Sequence, residues 1–223
     1  MKISVLIPAM NEEATLPEVL DRVGALPLDM EIIVVNDGST DATAQILAEY
    51  QQILPQLKVL HNSAPGGKGR AIRKALAIAT GEIIAVQDAD LEYEPEDLPR
   101  LVEPIEQGKA TVVYGSRFLG RIERMQPHHW LANQLLSWTA SLLYGQRLTD
   151  EATAYKVFHQ DVLASMRLRC ERFEFCPEVT AKSRRLGHRI LELPIRYKAR
   201  TTKEGKKIRW WDGVVALWTL CAY

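Results

Sequence analysis

The sequence has few cysteines, no long apolar run and no surplus of charge, and each shortage narrows what the protein can be. Cys170, Cys176 and Cys221 are odd in number and show no CxxC spacing. A disulfide framework or a zinc ribbon is therefore not expected, and reduced thiols in a cytosolic protein are the simplest reading. Every apolar stretch stops short of the roughly 18 uninterrupted residues that suggest a transmembrane helix. The segment from Met1 to Pro8 is too short for a signal peptide and reads as a first strand. A cytoplasmic location is expected, with any contact at the membrane inner face peripheral. The 28 basic residues balance 28 acidic ones, which argues against general nucleic-acid binding. Two nucleotide motifs are also missing. No strand leads into GxGxxG, and Lys68 is followed by Gly69 where a P-loop has Ser or Thr.

What is present fits one α/β domain of 223 residues, with apolar and charged fractions (47% and 25%) ordinary for a globular protein. Short β-branched runs at Ile3–Ile7, Glu31–Val35, Leu57–Leu60, Glu82–Val86 and Thr111–Tyr114 read as buried strands. Residues 12–25, 41–53, 68–79 and 95–106 carry helical spacing between them. The alternation predicts a Rossmann-like, mostly parallel sheet with helices on both faces. Residues 1–120 form its nucleotide-binding part. Residues 121–223 form an acceptor-side extension of the same compact domain, with helices at Trp130–Tyr144, 160–168, 177–186 and from Asp212 onward, and a short strand at Ile190–Ile195. The stripe Leu131, Leu135, Trp138 and Leu142 is of a kind more often buried than exposed. The basic run Arg196 to Arg209 and the neighbouring Trp210 and Trp211 raise a second reading, contact with an anionic membrane surface.

Polar loops follow several strands, at the edge where open α/β sheets bind ligands. Asp88-Ala89-Asp90 sets two carboxylates one residue apart after a buried strand, where they repel unless a cation lies beside them. Mg²⁺ or Mn²⁺ meets that need, taking one or two carboxylates plus substrate phosphates. Glu92 is a candidate further ligand, and the plainer alternative is a solvated capping turn. Asp37, in Asn36-Asp37-Gly38-Ser39-Thr40-Asp41, is placed either to accept from a base or ribose or to build an Asp-Gly turn. Asp41 is the expected N-cap of the next helix. Gly66-Gly67-Lys68-Gly69-Arg70 suits phosphate with its amides and cations, or is a simple glycine turn. Arg117, past another strand end, either clamps a diphosphate or forms a surface ion pair.

In their order and spacing over the first 120 residues, five pieces resemble the family 2 glycosyltransferases of the GT-A fold, and more closely the dolichol- and polyprenyl-phosphate glycosyltransferases. They are Val5 to Glu13, Val34 to Asp41, Gly67-Lys68-Gly69, Asp88 to Leu91 and Gly115-Ser116-Arg117. The resemblance implies that Pro8, Met10, Glu12 and Asp37 hold the nucleoside, with Lys68, Asp88 and Ala89 close by. It implies Asp90 as the principal ligand of a divalent cation, with Asp88 serving ribose or metal. Glu92 stands where the family often has Gln. Arg117 would face phosphates or acceptor, and Arg200 resembles an arginine that precedes the family's Gly-x-x-Lys stretch, here Gly205-Lys206-Lys207-Ile208. The implied activity is inverting transfer of a hexosyl group from a UDP- or GDP-sugar to a polyprenyl (dolichyl-type) phosphate. Transfer to a soluble hydroxyl acceptor, with Asp150 as general base, is the alternative, and a non-catalytic nucleotide-binding subunit is another. Three features depart from the family pattern. Met10 replaces a common aromatic, Thr149 to Lys156 replaces an Asp-x-x-Ser-Gly-Phe-like element, and the C-terminal membrane spans of many lipid-phosphate members are absent.

Overall fold

A computed structural model of the chain describes residues 1–200 and 210–223. The strands are β1 (Ile3–Ala9), β2 (Met30–Asp37), β3 (Leu57–Asn62), β4 (Ile83–Val86), β5 (Val112–Glu123), β6 (Lys156–His159) and β7 (Ile190–Lys198). They form one sheet in the order β3-β2-β1-β4-β6-β5-β7. The helices are α1 (Leu16–Gly24), α2 (Thr43–Ile53), α3 (Lys68–Leu76), α4 (Leu98–Glu106), α5 (Pro127–Tyr144), α6 (Gln160–Ser165), α7 (Phe175–Arg185) and α8 (Trp210–Ala222). β1 to β4 are mutually parallel, as continuous apolar runs under two helical layers require. One core lies beneath α1 and α4 and a second beneath α3, α6 and α7. Each fully buried Val, Leu or Ile there contributes about 1.5–3 kcal/mol relative to exposure.

The register sets the site. Leu6 on β1 pairs with Val86 on β4, and Ala9 pairs with Asn36 on β2. The segments that leave these strands, beginning at Met10, Gly38 and Gln87, therefore emerge at one edge. Gly38 turns sharply there with φ +68°, and a Cβ on it would lie 2.6 Å from the Pro65 nitrogen.

The second half enters the same sheet. β6 runs antiparallel between β4 and β5, and β7 runs parallel to β5. The sequence reading has no strand at Lys156–His159, because a four-residue run with charged ends falls below the length at which periodicity speaks. β5 and β7 also run well past their expected ends. β5 shifts register between Ser116 and Arg121, and Gly120 permits this, since a Cβ on it would sit 1.9 Å from the Ile195 carbonyl oxygen.

α5 reverses the commoner expectation for its stripe. Leu136, Ser137 and Ala140 face the core, while Leu131, Leu135, Trp138 and Leu142 face outward, Leu142 at 86% exposure. α8 packs against α5 and α7 and buries only Ala216, Thr219 and Leu220. The chain's five tryptophans all lie on α5 and α8, and each is at least 45% exposed. Among the described residues no helix is long and apolar enough to cross a membrane. Most of the basic run, from Lys203 to Arg209, and the stretch Gly205 to Ile208 lie outside the described residues.

Candidate functional site

Asp37 ends β2 nearly buried, and its carboxylate is the anchor of the glycine loop. Its Oδ1 accepts from Asn62 Nδ2 (2.6 Å) and the Gly66 amide (2.9 Å), and its Oδ2 accepts from the Gly67 amide (2.7 Å). The Gly69 and Arg70 amides donate to the carbonyls of Arg172 and Glu171, each at 2.9 Å. Four amides expected to cradle phosphate are thus already satisfied within the protein, so the phosphate reading of this loop loses its principal donors. The loop instead delivers the side chain of Lys68, at the start of α3, to Asp88 Oδ1 at 2.5 Å. Burial alone would pull the Lys68 amine down, but the Asp88 carboxylate beside it holds it above its ordinary value. Asp41 binds the Thr43 amide (3.0 Å) and the Glu13 amide (3.2 Å), joining the starts of α2 and α1.

Asp88-Ala89-Asp90 follows β4 directly, and Leu91 closes the turn with φ 58°, an unusual conformation for a residue with a branched side chain. Ala89 is buried and accepts from the Thr15 hydroxyl at 2.7 Å. Burial, together with the charges of Asp88 and Glu92, pushes the Asp90 carboxyl up to about 7 even with Arg200 present. Arg200 spans two acids, with Nη2 2.8 Å from Asp90 Oδ2 and Nη1 3.0 Å from Glu12 Oε2. The Glu12 carboxylate also accepts from Thr15 at 3.0 Å. Pro8 and Met10 are half-buried at the end of β1, on the same edge.

Glu92 stands differently from its expected role as a ligand. Its Oε1 accepts from the Arg200 amide (2.6 Å) and its Oε2 from the Tyr197 hydroxyl (2.9 Å). Both oxygens hold the end of β7 over the site. Among the described residues no group of three or more His, Cys, Asp or Glu side chains is arranged to hold a metal. Glu92 is thus drawn towards β7, while Asp88 and Asp90 remain together at the end of β4. A hard cation that completes its shell with substrate phosphates needs no more than one or two protein carboxylates. The strained ionisation of Asp90 fits an added positive charge.

Arg117 and Asp150 form a buried pair, 5% and 0% exposed. The Arg117 amide, Nε and Nη2 all donate to the Asp150 carboxylate, at 2.9, 2.7 and 2.7 Å. Burial would disfavour the guanidinium charge, yet Asp150 holds it well above its ordinary range. This is neither a surface ion pair nor a free base. With both oxygens bound to Arg117, Asp150 serves as counter-ion and orienter. The guanidinium carbon lies 5.0 Å from the centre of the Tyr197 ring, and Tyr197 is the residue that Glu92 holds. The Arg117 pair and the Asp90 cluster are thus two ends of one packed network. Sequence reasoning missed Tyr197 and Glu192. An acidic residue inside the strand expected at Ile190–Ile195 was the available signal for Glu192.

The architecture is of the GT-A class, a mostly parallel α/β sheet with an acidic, arginine-bridged site at its carboxyl edge. The chain belongs to the family described as glycosyl transferase family 2, whose model matches residues 4–167. It is 33% identical over 206 residues to the low-salt glycan biosynthesis hexosyltransferase of Haloferax volcanii, covering 89% of this chain and 48% of that protein. The chain therefore spans about half the length of that relative. It is 30% identical over 217 residues to the undecaprenyl-phosphate mannosyltransferase of Micrococcus luteus, covering 92% of this chain and 87% of the other. Glucosyl-3-phosphoglycerate synthase from Mycobacterium tuberculosis, solved with Mn²⁺, uridine diphosphate and glucosyl-3-phosphoglycerate, shares the fold. The TM-score is 0.71 at 22% identity, over 97% of this chain and 75% of that one.

Proposed function

We propose that this chain transfers a hexosyl group from a UDP- or GDP-sugar, with inversion, to a polyprenyl phosphate at a membrane surface. The observation that carries the reading is the pair Asp88 and Asp90 at the end of β4, balanced by Lys68 and Arg200. Asp37, Glu12, Pro8, Met10 and Ala89 form the nucleoside side of that edge. Asp90, with Asp88, would hold Mg²⁺ or Mn²⁺. When bound, the ion offsets charge on the departing diphosphate in place of a proton donor. The fold relative was solved with Mn²⁺ and uridine diphosphate, which supports both a divalent ion and a nucleotide. Lys68 and Arg200 bring fixed positive charge to the same place, and Arg117 forms a rigid floor beside it.

A phosphate acceptor suits this chemistry. It is already anionic near neutral pH, so it needs orientation rather than deprotonation. Asp150, the candidate base for a hydroxyl acceptor, is engaged by Arg117. The Micrococcus luteus relative is named for an undecaprenyl-phosphate substrate. A groove of about 610 Å³ next in sequence to Arg117, of mixed polar and apolar lining that includes Phe118, Leu119, Gln134, Trp138, Arg147 and Thr149, lies against α5 and is the candidate acceptor side. The outward tryptophans of α5 and α8 suit headgroup depth.

One assay tests the whole reading: nucleotide release from a panel of UDP- and GDP-sugars, with polyprenyl phosphate in anionic vesicles. Release that depends on both one donor and the lipid phosphate is the expected result. Equal release with a water-soluble hydroxyl acceptor would remove the lipid from the reading. In the same vesicles, Trp138→Ser combined with Trp218→Ser should reduce co-flotation severalfold without changing nucleotide binding, since each buried aromatic carries a large share of interfacial affinity.

Asp37 provides a second check. Asp37→Asn places an amide where three donors now meet one carboxylate, and so should weaken UDP or GDP binding by about 1–3 kcal/mol. Calorimetry reads this directly. Unchanged affinity would leave Asp37 as a turn anchor alone.

A further inference from the structure

Glu192 lies on β7 in register with Tyr114 of β5, half-buried and away from the acidic cluster. Its carboxylate gathers one short segment. Oε1 accepts from the Thr149 amide (3.0 Å), the Thr149 hydroxyl (3.0 Å) and the Asp150 amide (2.9 Å), and Oε2 accepts from the Thr149 amide at 2.8 Å. Both residues so held then act on the tip of β5. Thr149 Oγ1 lies 2.6 Å from Ser116 Oγ, which in turn accepts from the Leu119 amide at 3.2 Å. Asp150 takes the backbone amide and the guanidinium fork of Arg117. Thr149 and Asp150, which make these ties to Ser116 and Arg117, thus both rest their backbone amides on one carboxylate.

We propose that Glu192 is a positioning residue, setting the Thr149-Asp150 segment so that Asp150 orients Arg117 and Ser116 beside the acceptor groove. The inference rests on the reading of that groove as the acceptor side. Its physical basis is the arrangement of acceptors. Two adjacent amides and a hydroxyl converge on a single group, and without it they would be left as half-buried donors facing the sheet. The segment would then rotate to find other partners, and the Asp150 carboxylate would move with it. A bidentate carboxylate–guanidinium pair tolerates little displacement, because both bonds depend on one plane. Misplacement by about 1 Å at a site of this kind costs on the order of a hundredfold in rate.

The contacts favour Oε1, and this makes a graded series informative. Glu192→Gln keeps an amide oxygen for the three Oε1 contacts and loses only the Oε2 contact. Glu192→Ala loses all four. The Ala variant is expected to raise the acceptor KM at least about tenfold and to lower kcat, with the Gln variant close to wild type. The dissociation constant for the nucleoside diphosphate, measured by calorimetry, should stay within about twofold in both, since Asp37, Lys68 and Asp88 hold a different edge.

A second readout needs no turnover. The Arg117 Nε–H, identified by its disappearance in Arg117→Lys, should exchange slowly with solvent in the wild-type protein. Its protection should fall about tenfold or more in Glu192→Ala and remain in Glu192→Gln. If Glu192→Ala keeps that protection, or if it loses donor binding and acceptor binding alike, Glu192 is no positioning residue and the inference is overturned. If the wild-type protein transfers no sugar, the proposed function fails, while the exchange of the Arg117 proton still decides the role of Glu192.

Discussion

Asp90→Ala should reduce turnover at least about a thousandfold, some 4 kcal/mol of barrier, while leaving the protein folded. The fold should survive because the wild-type carboxyl is held against its own ionisation. Burial, Asp88 and Glu92 all push it up, to about 7. Alanine removes those penalties and forfeits two contacts, from the Glu92 amide (3.1 Å) and from Arg200, which keeps its partner Glu12 at 3.0 Å. A melting temperature within about 3 °C of wild type is therefore expected for a domain of this size. Lost turnover alone would have two explanations, because Asp90 also anchors Arg200. Divalent ions separate them. Excess EDTA should stop the wild-type enzyme as completely as the substitution does, and Mn²⁺ should restore it. The paramagnetic signal of free Mn²⁺ should fall on adding wild-type protein with nucleoside diphosphate, and should stay high with Asp90→Ala. Full wild-type activity in EDTA would leave Asp90 as the anchor of Arg200 and nothing more.

Much of this arrangement was legible in the chain before folding was considered, and the limits of legibility have physical causes. β1, β2 and β4 are apolar on both faces, so their runs identify them without tertiary context. The acids that follow them must then gather at one edge, which is why Asp37, Asp88 and Asp90 could be named. What sequence could not give was the use of each oxygen. Glu92 is two residues from Asp90 and looks like a ligand, yet the turn at Leu91 directs it to Tyr197 and the Arg200 amide. Asp150 looks like a base, and only tertiary contacts, with Glu192 of β7 on its amide among them, set it beneath Arg117. The glycine loop resembles a phosphate cradle until the carbonyls of Glu171 and Arg172, about a hundred residues away in sequence, are found on its amides. β6 escaped for a different reason, since two apolar residues between a lysine and a histidine carry almost no periodic signal. The outward stripe of α5 was visible as a stripe. Its direction was not, because helix periodicity reports that a face exists and not which neighbour it meets.

The pair Arg117 and Asp150 carries the other large expected effect. Asp150→Ala should destabilise the protein by about 3–5 kcal/mol, because it leaves a guanidinium buried with no counter-charge. For a chain of this length that corresponds to a fall of roughly 10 °C in melting temperature. Activity will fall too, and stability alone would explain the loss. A double replacement resolves this. Arg117→Met with Asp150→Leu removes both charges and fills similar volume, and buried pairs exchanged in this way are often neutral or stabilising. The neighbouring Tyr197 and Phe118 rings, which now flank the guanidinium, accept an apolar chain, and the one group left without its acceptor is the backbone amide at position 117. The double variant should therefore melt clearly above Asp150→Ala, short of wild type by about 1–3 kcal/mol, the cost of one unmet buried amide. Its turnover should nevertheless remain down by at least about a hundredfold, since a thioether cannot present the planar donor fork of an arginine beside the proposed acceptor groove. Arg117→Lys tests the same point from the other side: it keeps the charge, loses the fork, and should recover little of the lost rate. Wild-type turnover in the double variant would instead make the pair a structural element whose charges the reaction does not use.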